Sequence, residues 1–104
     1  MKQKVLGPLG PAELEALPLD AVVDARGLLC PVPIARLGER VKDLPPQGVV
    51  LLMNDDPAVV LDVVAWCKST HHELLGIVKD DRDVYYCYVR KASAPPRRFE
   101  PPTR

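Results

Sequence analysis

Proline locks one backbone dihedral and removes a hydrogen-bond donor, which bars it from helix interiors and from central strands. This chain places 12 prolines in 104 residues, and their positions divide it. Pro8, Pro11 and Pro18 fall in the first eighteen residues, and Pro95, Pro96, Pro101 and Pro102 in the last thirteen. Only Pro31, Pro33, Pro45, Pro46 and Pro57 lie between, and they leave segments long enough for regular structure. Residues 1–18 read as an N-terminal extension with a short helical turn over 12–17. Residues 19–91 read as one folded domain, and 92–104 as a flexible Pro/Arg-rich tail with too little apolar surface to offset its ordering entropy.

Within the folded part, apolar spacing selects the elements. Leu19 to Ala25 is short, rich in Val and Ala, and stops at Gly27, which predicts a strand. Ile34, Leu37, Val41 and Leu44 recur at helical spacing, and Pro31 and Pro33 suit a first turn, where a backbone N–H has no intrahelical partner. A helix is therefore expected from Cys30-Pro31 to about Leu44. Val49 to Met53 is an apolar run of strand length. Asp56-Pro57 predicts an N-cap and first helical residue, opening a second helix that ends near Thr70. Glu73 to Lys79 and Val84 to Lys91 are expected to pair as a hairpin about the polar turn at 80–83. The order βαβαββ implies an α/β (α+β) two-layer sandwich: a mixed four-stranded sheet with two helices on one face. Alternation in the last strand sends Tyr85, Cys87 and Val89 toward the helices. Tyr86 and Tyr88 are then expected to form an exposed aromatic patch on an open sheet face.

Charge narrows the function. The chain has 14 Lys and Arg against 14 Asp and Glu, and residues 19–91 hold nine basic and eleven acidic residues, a net of −2. A scaffold for nucleic acid needs a basic excess, so direct nucleic-acid binding is not expected. No apolar run approaches the roughly 20 residues of a membrane span. Gly7, Pro8, Gly10 and Pro11 also interrupt the stretch where a signal peptide would have its apolar core. The expected compartment is the cytoplasm, without membrane contact, and the expected state is a monomer.

The three cysteines are not equivalent. Cys67 lies on the apolar stripe of the second helix, and Cys87 alternates with Tyr85 and Val89, so both read as core. Cys30 sits between Gly27 and a helix start. Free N–H groups and the helix macrodipole favour a thiolate there, with thiol pKa values lowered to about 3.5–7.5 in such settings. Arg26 adds positive charge if its side chain folds over the loop. No C-x-x-C provides a second sulfur, and neither the cysteine spacing nor adjacent His71-His72 suits zinc, so neither metal nor cofactor is expected. A Cys30–His72 nucleophile pair would lack an oxyanion hole and an orienting third group. A lone exposed thiolate attacks a disulfide or persulfide sulfur and is later relieved of what it took, which is a carrier's chemistry rather than a stand-alone turnover enzyme's.

Asp24-Ala25-Arg26-Gly27-Leu28-Leu29-Cys30-Pro31-Val32-Pro33 resembles the Asp-x-x-Gly-Leu-x-Cys-Pro-x-Pro loop of the TusA/SirA-like sulfur-carrier family. Asn54-Asp55-Asp56-Pro57, Asp62, Cys67, His72-Glu73-Leu74 and Val89-Arg90-Lys91 are similar to its later motifs, in order, across 19–91. The resemblance implies that Cys30 carries sulfur as a persulfide, with Asp24, Arg26, Gly27, Pro31 and Pro33 supporting the loop and the thiolate. It implies a cysteine desulfurase or rhodanese-like donor and an acceptor protein, in tRNA thiolation, cofactor biosynthesis or sulfur oxidation. Arg36, Arg40 and His72 are the candidate docking residues. The chain departs from the family at Gly38-Glu39, where basic residues are frequent, and at His71, which replaces the usual Gly before His72. The competing reading is a non-catalytic adaptor that uses the Cys-Pro-x-Pro loop only as a docking surface.

Overall fold

In a computed structural model that describes residues 2–92, Val49–Asn54 is buried at every position but Met53. A strand with so little polar relief needs cover on both faces. This strand, β3, lies inside a five-stranded sheet of order β1-β4-β5-β3-β2. The chain order is β1 (Gln3–Leu6), α1 (Pro11–Glu15), β2 (Ala21–Asp24), α2 (Val32–Val41), β3, α3 (Val59–Thr70), β4 (Glu73–Lys79) and β5 (Tyr85–Arg90). The tail expected over 92–104 lies, from 93 onward, outside the described residues.

β2 and β3 pair in parallel, joined by the α2 crossover. The α3 crossover skips a position, because β5 inserts between β3 and β4 and pairs antiparallel with both. On one face α2 and α3 bury Leu37, Val41, Val59, Val63 and Cys67 against Val50, Leu52, Ile77, Cys87 and Val89. This is the mixed α+β sandwich expected from the sequence, with Tyr85 packed at its margin on the same side.

The second face departs from expectation. It is not open, and the sheet has five strands rather than four. β1 pairs antiparallel with β4, and Leu14 of α1 is fully buried against Val49, Leu51, Leu75, Val78 and Tyr88. Tyr88 is only 3% exposed and Tyr86 half-buried, so the expected aromatic patch is instead the floor of a second small core. Two glycines permit this closure. A side chain on Gly7, whose φ is +109°, would run into the Gly76 backbone, and one on Gly76 would meet Leu14 Cδ1 at 2.9 Å. The short turn expected at 12–17 forms as α1, and the folded part of the chain begins at β1 rather than at residue 19.

The helix ends shift modestly. α2 opens at Val32 with Pro31 as its N-cap, and its first i→i−4 bond runs from the Ala35 N–H to the Pro31 carbonyl at 3.0 Å. It closes at Val41, where tighter bonds from Asp43 to Arg40 and from Leu44 to Val41 take over. α3 starts two residues beyond Pro57, after a turn in which Asp56 Oδ1 accepts the Ala58 N–H at 3.0 Å.

Candidate functional site

The carboxyl ends of parallel β2 and β3 deliver two loops to the same end of the molecule. The first, from Ala25 to Pro31, carries Cys30; the second, from Asn54 to Ala58, leads into α3. Gly27 makes the first loop possible: its φ is +80°, a conformation costly for any residue with a Cβ. Its N–H donates to Asp55 Oδ1 at 3.0 Å.

Asn54 stitches the loops together. Its side chain is 1% exposed, and its Nδ2 donates to the carbonyls of Ala25 at 2.7 Å and Leu28 at 3.1 Å. Its Oδ1 accepts the Asp56 N–H at 3.0 Å. One buried amide thus uses three of its hydrogen-bonding positions to hold the cysteine loop over the start of α3. A polar residue closing the apolar run Val49 to Met53 was the signal for it in the sequence.

Cys30 itself is exposed, whereas Cys67 and Cys87 are buried, as expected for core residues. Burial pushes the Cys67 thiol up to about 11 and the Cys87 thiol up to about 12. The Cys30 thiol is also raised, chiefly by the Asp62 carboxylate, with partial desolvation and the charge of Asp56 adding to the effect. The sequence expectation was the reverse, and the structure gives the reasons. Pro31 and Pro33 supply no N–H to the helix start, and the Val32 N–H already donates to the Leu29 carbonyl at 2.9 Å. The prolines that shape the loop thereby deplete the anion-stabilising end of α2.

Arg26 does not fold over the cysteine. Its Nε and Nη2 grip Asp24 Oδ1 and Oδ2 at 2.8 and 2.7 Å, a bidentate pair that holds the Asp24 carboxyl down at about 2. Asp24 and Arg26 therefore brace the root of the loop.

The other expected residues fall into separate places. Arg36 and Arg40 follow Val32 at four-residue spacing on α2 and line a shallow groove along edge strand β2, with Val22, Asp24, Glu39 and Asp43. His72 lies beyond the far end of α3, about 18 Å of helix from the end at which Cys30 sits, so no Cys30–His72 pair exists. Its ring packs 5.1 Å from that of Trp66, and its Nδ1 accepts the Ala92 N–H at 3.0 Å. Before it, His71 caps α3 in the left-handed region, φ +66°. Among the described residues no group of three or more His, Cys, Asp or Glu side chains is placed to hold a metal ion. No helix among them is long and apolar enough to cross a membrane.

Comparison with known proteins identifies the family of the chain. A family model described as "Sulfurtransferase TusA" matches residues 21–91. The "Sulfur carrier protein TusA" of Pseudomonas syringae pv. tomato is 38% identical over 80 residues, covering 77% of this chain and 94% of that protein. Its counterpart in Pseudomonas fluorescens is 34% identical over 79 residues, covering 76% and 94%. Among solved structures, a SirA-like protein from Desulfitobacterium hafniense superposes with a TM-score of 0.64 at 19% identity, covering 69% of this chain and 97% of that one. That likeness concerns the fold.

Proposed function

The chain belongs to the TusA sulfurtransferase family, and we propose that it is a sulfur carrier whose Cys30 holds the sulfur as a persulfide. The observation that carries the assignment to this residue is exposure. Of three cysteines only Cys30 reaches solvent, at the tip of a loop braced from β2, β3 and the approach to α3.

The chemistry is an exchange at sulfur. Cys30 Sγ attacks the terminal sulfur of a donor persulfide, a new S–S bond forms, and the donor's own S–S bond breaks. The donor leaves as a thiolate that takes up the proton lost by Cys30. The net change is Cys30–SH plus donor–S–SH giving Cys30–S–SH plus donor–SH, with no external oxidant or reductant. Delivery repeats the step with an acceptor protein as attacker. A cysteine desulfurase or a rhodanese-like protein suits the donor role. tRNA thiolation, cofactor biosynthesis and sulfur oxidation are the processes such a carrier would feed. Asp24, Arg26, Gly27, Pro31 and Pro33 support the loop in this reading, and Arg36 and Arg40 are the candidate donor contacts; His72, with its ring on Trp66, is the more remote one. The carrier acts as a cytoplasmic monomer.

Incubation with a cysteine desulfurase, cysteine and labelled sulfur tests the assignment by intact mass. The expected result is one adduct of about 32 Da on the native chain, lost in Cys30→Ala and kept in Cys67→Ala. An adduct that survives Cys30→Ala, or none from several desulfurase and rhodanese donors, overturns it and leaves the loop as a docking surface.

A further inference from the structure

The sheet has two edges, and they differ. β1 is guarded: exposed Lys4 lies within it, and its register against β4 shifts between Lys4 and Leu6, an irregularity that spoils further pairing. β2 carries neither device. Ala21-Val22-Val23-Asp24 holds no Lys and no Pro, keeps an even register with β3, and has no strand on its other side. Such an edge offers a row of backbone N–H and C=O groups to another strand. Val22 is 51% exposed, because the layer that holds α1 covers β3, β4 and β5 and stops short of it.

Beside this edge α2 packs over β2 and β3 and presents a charged stripe. Arg36, Glu39, Arg40 and Asp43 stand at i, i+3, i+4 and i+7, so they share one helix face, and all four are exposed. With Val22, Val23 and Asp24 they line the groove along β2, a space of about 480 Å³. Arg40 meets Asp43 at a loose 3.8 Å, while Arg36 and Glu39 form no ion pair among the described residues.

The signs along the stripe run plus, minus, plus, minus. Laid antiparallel against itself, the stripe sets Arg36 opposite Asp43 of a second copy and Glu39 opposite Arg40, and a two-fold axis repeats both contacts. Every pair then joins opposite charges. Laid parallel, the same stripe sets each charge against its like. The strand agrees with the helix. α2 returns from the carboxyl end of β2 toward its start, which brings the middle of the stripe alongside the middle of the strand. Strands pair about 4.8 Å apart and helices pack about 8–10 Å apart. Helices seated over two edge strands therefore meet when the strands join.

We propose that the occupant of this groove is a second copy of the chain: β2 pairs antiparallel with β2 of its partner about a two-fold axis near Val22, and the two α2 stripes pair alongside. Arg36 and Arg40 are also the candidate donor contacts, so self-association and donor contact exclude each other. The dimer is then the resting form of a carrier that acts as a monomer, a clause that rests on the carrier reading above.

Sedimentation equilibrium of the full chain, with reductant to keep Cys30 from linking chains, tests the surface without any sulfur donor. Its failure is thus distinct from failure of the carrier assignment. At low salt the mean mass is expected to climb toward twice the monomer value between micromolar and millimolar concentration, and to fall back in molar salt. Arg36→Glu sets like charges at two symmetry-related contacts and is expected to weaken the dimer about tenfold. Arg36→Glu combined with Asp43→Arg restores most of that loss, which a general change of net charge would not do. Val22→Lys, which guards the edge as Lys4 guards β1, abolishes association. A native chain that stays monomeric at millimolar concentration and low salt overturns the proposal and leaves the edge to a different partner's strand. A dimer that neither salt nor Val22→Lys weakens, or a double reversal no tighter than Arg36→Glu alone, overturns it as well. The concentration and salt series on the native chain decide the matter if a variant misfolds.

Discussion

Asn54 is the residue on which the geometry of the cysteine loop depends most. Removing its amide leaves the Ala25 and Leu28 carbonyls and the Asp56 N–H without their partner in a mostly dry place. Asn54→Ala is expected to lower stability by about 2–3 kcal/mol in urea denaturation, with faster hydrogen exchange at Gly27 and Leu28. Unchanged stability would show that water replaces the amide at no cost. His72 gives a pH dependence of known sign. Partial burial, with the charges of Lys91 and His71, lowers its pKa below the ordinary 6.5, and its Nδ1 lone pair must stay free to accept the Ala92 N–H. Below 6.5 the unfolded chain then binds more protons than the folded one, so this contribution is complete above 6.5 and is lost as the pH falls through the lowered value. The urea midpoint of the native chain should fall more between pH 7.5 and 5.5 than that of His72→Asn, and equal falls would refute the linkage. Both residues sit at contacts between distant segments. The sequence marks them only as an Asn closing an apolar run and a His after a helix.

At the scale of elements, the N-terminal strand and helix show what short segments contribute. β1 has four residues without useful alternation, and its partner β4 lies some seventy residues further on. No local pattern announces such a pairing. α1 is five residues long, too short to persist alone, and is held by the burial of Leu14 under Gly76. Leu14→Ala should cost about 2–5 kcal/mol, measured by denaturant unfolding. A cost below about 1 kcal/mol would mean that α1 lies loosely on the sheet. The crossovers were more legible, because the 3.6-residue stripe of α2 and the apolar run of β3 are local patterns. The starts of α2 and α3 were read one or two residues too early, since prolines at 31 and 57 open turns that precede the regular helix; the end of α2 was read three residues too late, and that of α3, at Thr70, was read correctly.

In the whole molecule the sheet is sandwiched between two unequal layers: α2 and α3 on one face, and the N-terminal segment with α1 on the other. Residues 21–91 are the family's share, and Gln3 to Leu17 close the face that this share would leave bare. Alternation in β5 correctly divided Tyr85, Cys87 and Val89 from Tyr86 and Tyr88, because side chains of one strand must point to opposite faces. It carried no information on what covers the second face, so Tyr88 was read as exposed and is buried. The same division holds at the site. By itself the sequence determined the mixed sandwich, the loop between Gly27 and Pro33, and the exposure of Cys30 against the burial of Cys67 and Cys87, since each follows from local backbone rules or short periodicities. Only the tertiary structure decided the electrostatics of that cysteine. Asp62 lies 32 positions along the chain and acts on the thiol because α2 and α3 start side by side, while Arg26, two residues from Asp24, turns to its neighbour instead. Electrostatic interactions depend on distance in space, and spacing along a chain does not supply that distance until the fold is known.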